Sequence, residues 1–167
     1  MTTLTKTPES TMKVRFHDCD PFNHLNNSRY LDYIMSARTD QLLDYYGFDI
    51  YRIAREQRVG WVTAQTQISY LAPALLAEEL VIQTQLISFS NKSLVFEAMM
   101  WDSGKRSLKA FLQATLVHFN LKTQQSEQHS GDLMEFFQQV VNPPVGGTSF
   151  EERVKTIRSS EVKHIGT

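Results

Sequence analysis

The sequence predicts an α+β protein in which one curved antiparallel sheet of five to six strands wraps around a single long helix. Three observations lead to this fold class. Apolar residues recur at helical spacing over residues 28–46, and the spacing changes to alternation in the segments that follow. A mostly apolar helix of that length also needs to be buried against a second layer, which the curved sheet provides.

The first elements are a short strand and the long helix. Residues 12–17 alternate apolar and polar side chains, which predicts a strand. A loop rich in asparagine follows. Asparagine or serine at positions 26–28 can cap the start of the helix over 28–46, and Gly47 lies where a C-terminal glycine cap is expected.

Four further strands are predicted by alternating apolar residues and by the turn residues between the runs. They span residues 62–70, 80–89, 94–101 and 108–121. Consecutive strands joined by tight turns form an antiparallel meander. A short amphipathic helix is then expected over 132–141, and a helical turn around 151–157.

The chain of 167 residues suits one domain, with 41% hydrophobic residues for its core. We expect a flexible leader at 1–11, the folded domain at 12–141 and a polar C-terminal tail at 142–167. The exposed edges of such a sheet must be covered or paired, and symmetric dimers are the commonest oligomers.

Composition excludes several functions. A formal net charge of -1 gives no electrostatic basis for binding nucleic acid. The single cysteine, Cys19, excludes a disulfide scaffold or a zinc ribbon, and no metal-ligand spacing occurs, so we expect no metal or other cofactor. No stretch of about 20 predominantly apolar residues is present, and we therefore expect a cytoplasmic protein without membrane contact.

Residues 17–27 hold the densest polar cluster of the chain, between the first strand and the start of the long helix. A helix start presents unpaired N–H groups that can hold an oxyanion. A nearby carboxylate can act as a nucleophile or activate water, and a histidine can move or orient protons. The alternative is that these residues serve only as turn and cap residues.

The spacing within this cluster resembles two branches of one superfamily. Asp18-Cys19-Asp20-Pro21, followed by Tyr30 and by Ala37-Arg38, resembles the 4-hydroxybenzoyl-CoA thioesterase-like branch of the hot-dog superfamily. Residues 24–30, His-Leu-Asn-Asn-Ser-Arg-Tyr, are similar to the His-Val-Asn-Asn-x-x-Tyr segment of acyl-ACP thioesterases. The run Ile68–Pro73 followed by Glu78–Leu80 is similar to a strand signature of the same superfamily.

The resemblance implies a single hot-dog domain that hydrolyses an acyl thioester of coenzyme A or acyl carrier protein. Asp20 matches the family's catalytic carboxylate, which is a nucleophile in some members and a general base in others. Asn27 falls where a backbone N–H polarises the thioester carbonyl, and His24 matches the histidine of the acyl-ACP branch. Phe22 stands where that branch has an asparagine.

Further residues are expected to contact the substrate. Asn26 should help to position the reacting groups, and Tyr30 and Trp61 could line an acyl pocket. Asn91 and Lys92 lie in a turn that could receive the coenzyme A nucleotide. Because sites of this family are usually shared between subunits, the resemblance also implies a homodimer or a homotetramer.

Neighbouring residues are assigned other roles, and other functions stay open. We interpret Asp18 as a turn residue, Cys19 as a small buried hydrophobe and His118 as a hydrogen-bonded core or interface histidine. The alternatives to an acyl-CoA thioesterase are an acyl-ACP-specific thioesterase and a non-catalytic hot-dog protein that binds acyl-CoA or acyl-ACP. A hydratase is weaker, because its Asp and His motif is absent.

Overall fold

The structure is a computed structural model that describes residues 3–164, with the side chains of residues 3–161. Short 3-10 turns at Phe16–Asp18 and Asn27–Arg29 precede the long helix. The helices and strands of the described range are β1 (Glu9–Lys13), α1 (Tyr30–Tyr46), α2 (Ile50–Gln57), β2 (Val59–Tyr70), β3 (Glu79–Phe89), β4 (Ser93–Asp102), β5 (Leu108–Asn120), β6 (Gln125–Ser126), α3 (Gly131–Val140) and α4 (Phe150–His164).

The strands form one six-stranded antiparallel sheet in the order β1-β3-β4-β5-β2, and β6 pairs with β5. The predicted α+β fold, a curved antiparallel sheet around a long helix, is therefore confirmed. One edge of β2 pairs with β5, and its other edge has no partner strand within the described chain.

α1 lies against the concave face of the sheet because its apolar residues share one side. Tyr30, Tyr33, Ile34, Ala37 and Gln41 are buried, at the three- and four-residue spacing of a helix face. They pack against inward-facing sheet residues that include Leu80, Ile82, Phe96, Ala98, Leu112 and Ala114. Gly47 ends the helix in the left-handed conformation at φ 64°, and its N–H donates to helix carbonyls, as the sequence predicts.

The ends of the chain take more part in the fold than the sequence predicts. β1 begins at Glu9, within the segment 1–11 expected to be a leader, and pairs with β3 from Glu9↔Gln83 onward. The strand predicted over 12–17 therefore ends earlier, at Lys13, and a 3-10 turn follows it. Only residues 3–11 of the expected leader fall within the described part.

α4 lies within the expected tail 142–167 and covers the outer face of the sheet. Ile157 packs there against Met99, Leu108 and Phe111, forming a hydrophobic cluster separate from the core around α1. Beside it, Arg153 forms a bidentate ion pair with Glu97 at 2.8 and 2.9 Å, and Glu97 is 0% exposed. A helix with a buried charge pair replaces the short helical turn expected around 151–157.

α2 is the one helix of the described range without a sequence prediction. It has only eight residues, and several of them are charged. The available signal was Asp49, whose side chain caps the helix by accepting a hydrogen bond from the N–H of Arg52 at 2.9 Å. α2 turns the chain from the end of α1 toward the start of β2.

Candidate active site

The loop between β1 and α1 folds back on itself and fixes the polar cluster. Cys19 and Leu25 form an isolated antiparallel bridge, and the N–H of Asp20 donates to the carbonyl of His24 at 2.8 Å. Asn23 occupies the tip at φ 60°, a conformation that asparagine tolerates well. The loop is held to the sheet side by the N–H of Leu25, which donates to the carbonyl of Ala74 at 2.8 Å.

The two carboxylate oxygens of Asp20 have different environments. Oδ1 accepts hydrogen bonds from the N–H groups of Phe22 at 2.9 Å and His24 at 3.2 Å. Among the described residues, none donates a hydrogen bond to Oδ2. The loop's own backbone therefore orients the carboxylate while leaving one oxygen able to receive a proton or attack a carbonyl carbon.

Asp20, His24, Asn27 and Tyr30, four of the predicted site residues, line one cavity of about 250 Å³. Leu25 and the segment 70–73 at the end of β2 complete its wall. The structure thus brings the three predicted catalytic residues together and adds a wall from a distant part of the chain.

Two tyrosines fix the wall of this cavity against the helix start. Tyr70 donates through its hydroxyl to the carbonyl of Asn27 at 3.1 Å, and its ring meets that of Tyr30 edge-on with centroids 5.1 Å apart. The hydroxyl of Tyr30 accepts a hydrogen bond from the N–H of Ala74 at 3.3 Å. Burial raises the pKa of Tyr30, which keeps it a neutral phenol at physiological pH.

The backbone at the start of the helix offers a free donor. Asn26 caps the 3-10 turn, because its Oδ1 accepts from the N–H of Ser28 at 3.0 Å and from the Ser28 hydroxyl at 2.9 Å. Among the described residues the N–H of Asn27 has no acceptor. The side chain of Asn26 is thus engaged in capping and does not line the cavity.

Asp18 joins the loop to α1. The hydroxyl of Tyr33 donates to Asp18 Oδ2 at 2.7 Å and accepts from the N–H of Arg15 at 3.1 Å. Arg29 Nε lies 3.5 Å from Asp18 Oδ1. These contacts support a structural role for Asp18, in line with the sequence interpretation.

Cys19 has the properties of a packed side chain. Its Sγ donates to the carbonyl of Arg15 at 3.4 Å, and the side chain packs against the core. Burial, followed by the charges of Asp20 and Asp18, raises the pKa of the thiol. A thiol kept protonated is a poor nucleophile, which favours the packing role.

Three predicted substrate-binding residues lie at the other end of the sheet. Trp61 is near the start of β2, whereas the cavity lined by Asp20 is at the end of that strand. Asn91 and Lys92 form the turn between β3 and β4, and the carbonyl of Lys92 accepts from the N–H of His118, the residue paired with Trp61. Within one chain these residues do not reach Asp20.

Trp61 belongs to an aromatic cluster that the sequence did not predict. Its Nε1 donates to His129 Nε2 at 3.1 Å, while His129 Nδ1 lies 3.0 Å from the carbonyl of Ser90. His129 is therefore the neutral Nδ1–H tautomer, and burial lowers its pKa. The His118 ring lies beside it, tilted by 35° with the centroids 4.8 Å apart. His118 is buried and bonds through Nδ1 to the Glu127 carbonyl at 3.1 Å, as expected of a core histidine.

No group of three or more histidine, cysteine or carboxylate side chains in the described residues is placed to hold a metal ion. Within the same range, no helix has the length and apolar character that a membrane crossing requires.

Comparison with known proteins identifies the family. The model of the thioesterase-like superfamily matches residues 14–146. The long-chain acyl-CoA thioesterase FadM of Escherichia coli K12 is 29% identical over 133 residues, which cover 80% of this chain and 98% of that protein. The acyl-CoA thioester hydrolase YbgC of Escherichia coli O6:H1 is 33% identical over 95 residues, covering 57% of this chain and 67% of the relative.

Solved structures agree with this result. YbaW, a probable thioesterase from Escherichia coli, superposes with a TM-score of 0.69 at 29% identity, covering 81% of this chain and 99% of that chain. The DHNA-CoA thioesterase of Staphylococcus aureus superposes with a TM-score of 0.71 at 11% identity, covering 94% and 95% of the two chains, and so shares the fold.

The fold and the family match define a hot-dog thioesterase. The chain belongs to the thioesterase-like superfamily, and the prediction of a thioester hydrolase is confirmed at the level of this enzyme class.

Proposed function

We propose that this protein hydrolyses acyl-CoA thioesters in the cavity at the start of α1, with Asp20 as nucleophile or general base. The observation that carries the proposal is the single cavity lined by Asp20, His24 and Asn27, into which the loop orients a carboxylate with one uncommitted oxygen. FadM and YbgC, both similar to this chain, are acyl-CoA thioesterases by name.

In the general-base form, Asp20 Oδ2 takes a proton from water, and the oxygen of that water attacks the thioester carbonyl carbon. The N–H of Asn27 stabilises the oxyanion that forms. When the C–S bond breaks, the thiolate takes up the proton held by Asp20, leaving a free acid and coenzyme A. His24, on the same cavity wall, orients the water or the leaving thiolate, and Asn26 acts indirectly by capping the helix start.

In the nucleophilic form, Asp20 Oδ2 itself attacks the carbonyl carbon, and the C–S bond breaks to release coenzyme A as its thiolate. Water then hydrolyses the mixed anhydride to the free acid and the Asp20 carboxylate, and the thiolate takes up the proton that this step releases. The two forms differ in the fate of solvent oxygen. A single turnover in ¹⁸O-labelled water leaves the label in the product acid in the general-base form. In the nucleophilic form, attack of water on the Asp20 carbonyl would leave label in that side chain.

The free edge of β2 makes a homodimer part of the proposal. This edge belongs to a strand of twelve residues, and Val62 and Tyr70 on that strand are 42% and 45% exposed. Antiparallel pairing of two such edges about a twofold axis near mid-strand would bring Trp61 of the partner subunit beside Tyr70 of this chain. The turn with Asn91 and Lys92 of the partner subunit would then lie toward the same side as the cavity. α4 covers the outer sheet face, which argues against a tetramer built through that face.

The test is release of free thiol from short, medium and long aliphatic acyl-CoAs and from an aryl-CoA. Asp20→Asn should reduce kcat by at least about 100-fold, the usual scale of a positioned acid–base group, while circular dichroism remains unchanged. Asp40→Asn removes an exposed carboxylate of α1, away from the loop that holds Asp20, and is the matched control that should retain activity.

Full activity of Asp20→Asn would overturn the assignment of Asp20. Saturable acyl-CoA binding without thiol release would replace the enzyme with a binding protein. Release from acyl-ACP but from none of the acyl-CoAs would change the carrier. A cytoplasmic location stays a prediction.

A further inference from the structure

A buried lysine holds the wall segment, residues 71–75, which follows β2 and borders the Asp20 cavity. Lys109 lies near the start of β5 and is 8% exposed. Its backbone carbonyl accepts hydrogen bonds from the N–H groups of Leu71 at 2.8 Å and Ala72 at 3.2 Å. Its Nζ donates to the carbonyl of Pro73 at 3.0 Å. One residue therefore contacts three consecutive residues of the wall segment, and all three line the cavity.

Glu78 pairs with Lys109 across a tight turn that ends the wall segment. Its Oε1 lies 2.8 Å from Lys109 Nζ, and its Oε2 accepts from the N–H of Leu75 at 2.7 Å. Within this turn Ala77 has φ 65°, a strained conformation for a residue with a side chain. Such a conformation persists where the surroundings hold the backbone in place. The ion pair supplies part of that restraint, together with the carbonyl of Val14, which accepts from the N–H of Ala77 at 3.1 Å.

The wall segment in turn contacts the elements that carry the groups proposed to react. The carbonyl of Ala74 accepts from the N–H of Leu25 at 2.8 Å, and the N–H of Ala74 donates to the hydroxyl of Tyr30 at 3.3 Å. Leu25 belongs to the loop that orients Asp20, and Tyr30 begins α1 directly after the turn that presents the N–H of Asn27. A shift of the wall segment therefore changes the distance between the carboxylate and the oxyanion donor.

The ion pair acts on the cavity from behind. Neither Lys109 nor Glu78 is among the residues that line the Asp20 cavity. A buried ion pair is weak as a source of stability, since apolar residues of similar volume are often as stable. What this pair supplies is direction, because the ammonium and the carboxylate fix one position of the Pro73 carbonyl and of the Leu75 N–H.

We propose that Lys109 and Glu78 are positioning residues for thioester hydrolysis, which hold the wall segment so that Asp20 and the N–H of Asn27 face the same carbonyl group. The inference rests on the proposed function, because it takes these two as the reacting groups. A misplacement of about 1 Å costs about 100-fold in rate, so loss of the ion pair should lower kcat by at least about tenfold. KM should change by less than about threefold, because neither side chain contacts the cavity.

The test is thiol release from the acyl-CoA that the wild type hydrolyses fastest, with three variants. Lys109→Met should show the loss of kcat. Lys109→Arg can still bridge the Pro73 carbonyl and Glu78, and should stay within about threefold of the wild-type kcat. Glu78→Gln keeps an acceptor for the N–H of Leu75 but removes the ion pair, and should lower kcat even if Lys109→Met fails to fold.

Arg153→Met is the matched control, because it breaks a buried ion pair on the outer face of the sheet. It should lower the urea unfolding midpoint as Lys109→Met does, but leave the kcat of the folded protein within about twofold of the wild type. Hydrogen exchange gives a readout that does not depend on activity. In Lys109→Met the amide hydrogens of Leu25 and Ala74 should exchange faster than in the wild type, while that of Ile34 in α1 stays protected.

The inference is overturned if folded Lys109→Met keeps the wild-type kcat, or if Arg153→Met loses as much kcat as Lys109→Met. If the wild type releases no thiol from any acyl-CoA, the proposed function fails on its own. The exchange of Leu25 and Ala74 still decides in that case, because unchanged exchange in Lys109→Met would show that the ion pair does not hold the wall segment.

Discussion

Replacing Arg153 by methionine should destabilise the fold by about 3–5 kcal/mol, the usual cost of removing one partner of a buried ion pair. Glu97 is 0% exposed and accepts two charged hydrogen bonds from Arg153, at 2.8 and 2.9 Å. Without them the donors left to the carboxylate among the described residues are neutral amides, Gln85 at 2.9 Å and Gln113 at 3.4 Å. Methionine retains most of the side-chain packing, so the loss measures the unpaired charge.

Urea unfolding followed by circular dichroism at neutral pH measures this loss. Arg158→Met, an exposed arginine on the same helix, should change the free energy of unfolding by less than about 0.5 kcal/mol. The double variant Glu97→Gln/Arg153→Met should recover part of the stability, because no charge is then buried. A cost below about 1 kcal/mol for Arg153→Met would refute the reasoning, since it would mean that Glu97 reaches water.

Three further predictions follow from single contacts. The free energy of unfolding should fall as the pH drops below about 6.5, because burial lowers the pKa of His129 and the unfolded chain then binds a proton that the folded chain does not. Urea unfolding midpoints measured between about pH 8 and pH 5.5 should decrease with pH. An equal decrease in His129→Gln would contradict the assignment to His129. Tyr33→Phe removes the hydroxyl that donates to Asp18. It should cost about 1–2 kcal/mol of stability and lower the kcat for thioester hydrolysis. Wild-type values of both quantities would refute a positioning role for the Tyr33 hydroxyl. Gly47→Ala should cost about 1 kcal/mol in urea unfolding, because the backbone at φ 64° disfavours a side chain; an unchanged midpoint would contradict this.

The elements that could be predicted from the sequence are those whose signals are local. α1 has a long apolar face and a glycine cap, and each long strand has an alternating run ended by turn residues. β1 begins earlier than predicted because its pairing with β3, Glu9↔Gln83, depends on residues far apart in the chain. The role of α4 was missed for the same reason, since Arg153 and Glu97 are 56 positions apart.

The candidate site divides in the same way. Asp20, His24 and Asn27 could be predicted because they lie within one short loop, whose own backbone holds them. The opposite wall at the end of β2 could not, because Tyr70 meets Asn27 across 43 positions. Trp61 carries no sequence signal for its bond to His129, 68 positions away. Within one chain it lies at the opposite end of β2 from the cavity that Tyr30 lines.

α4 packs on the outer face of the sheet and can detach from it while the core around α1 stays folded. Residues 142–149, which form neither helix nor strand, join α4 to the rest of the chain, and its apolar side chains pack in a cluster separate from the core around α1. Releasing α4 thus exposes Met99, Phe111 and the charge of Glu97 while the helix-and-sheet core stays closed. Such a unit should open below the free energy of global unfolding. We therefore expect the amide hydrogens of α4 to exchange with solvent as a group, ahead of those of α1, and proteases to reach the connecting segment while the loop that contains Asp20 stays folded.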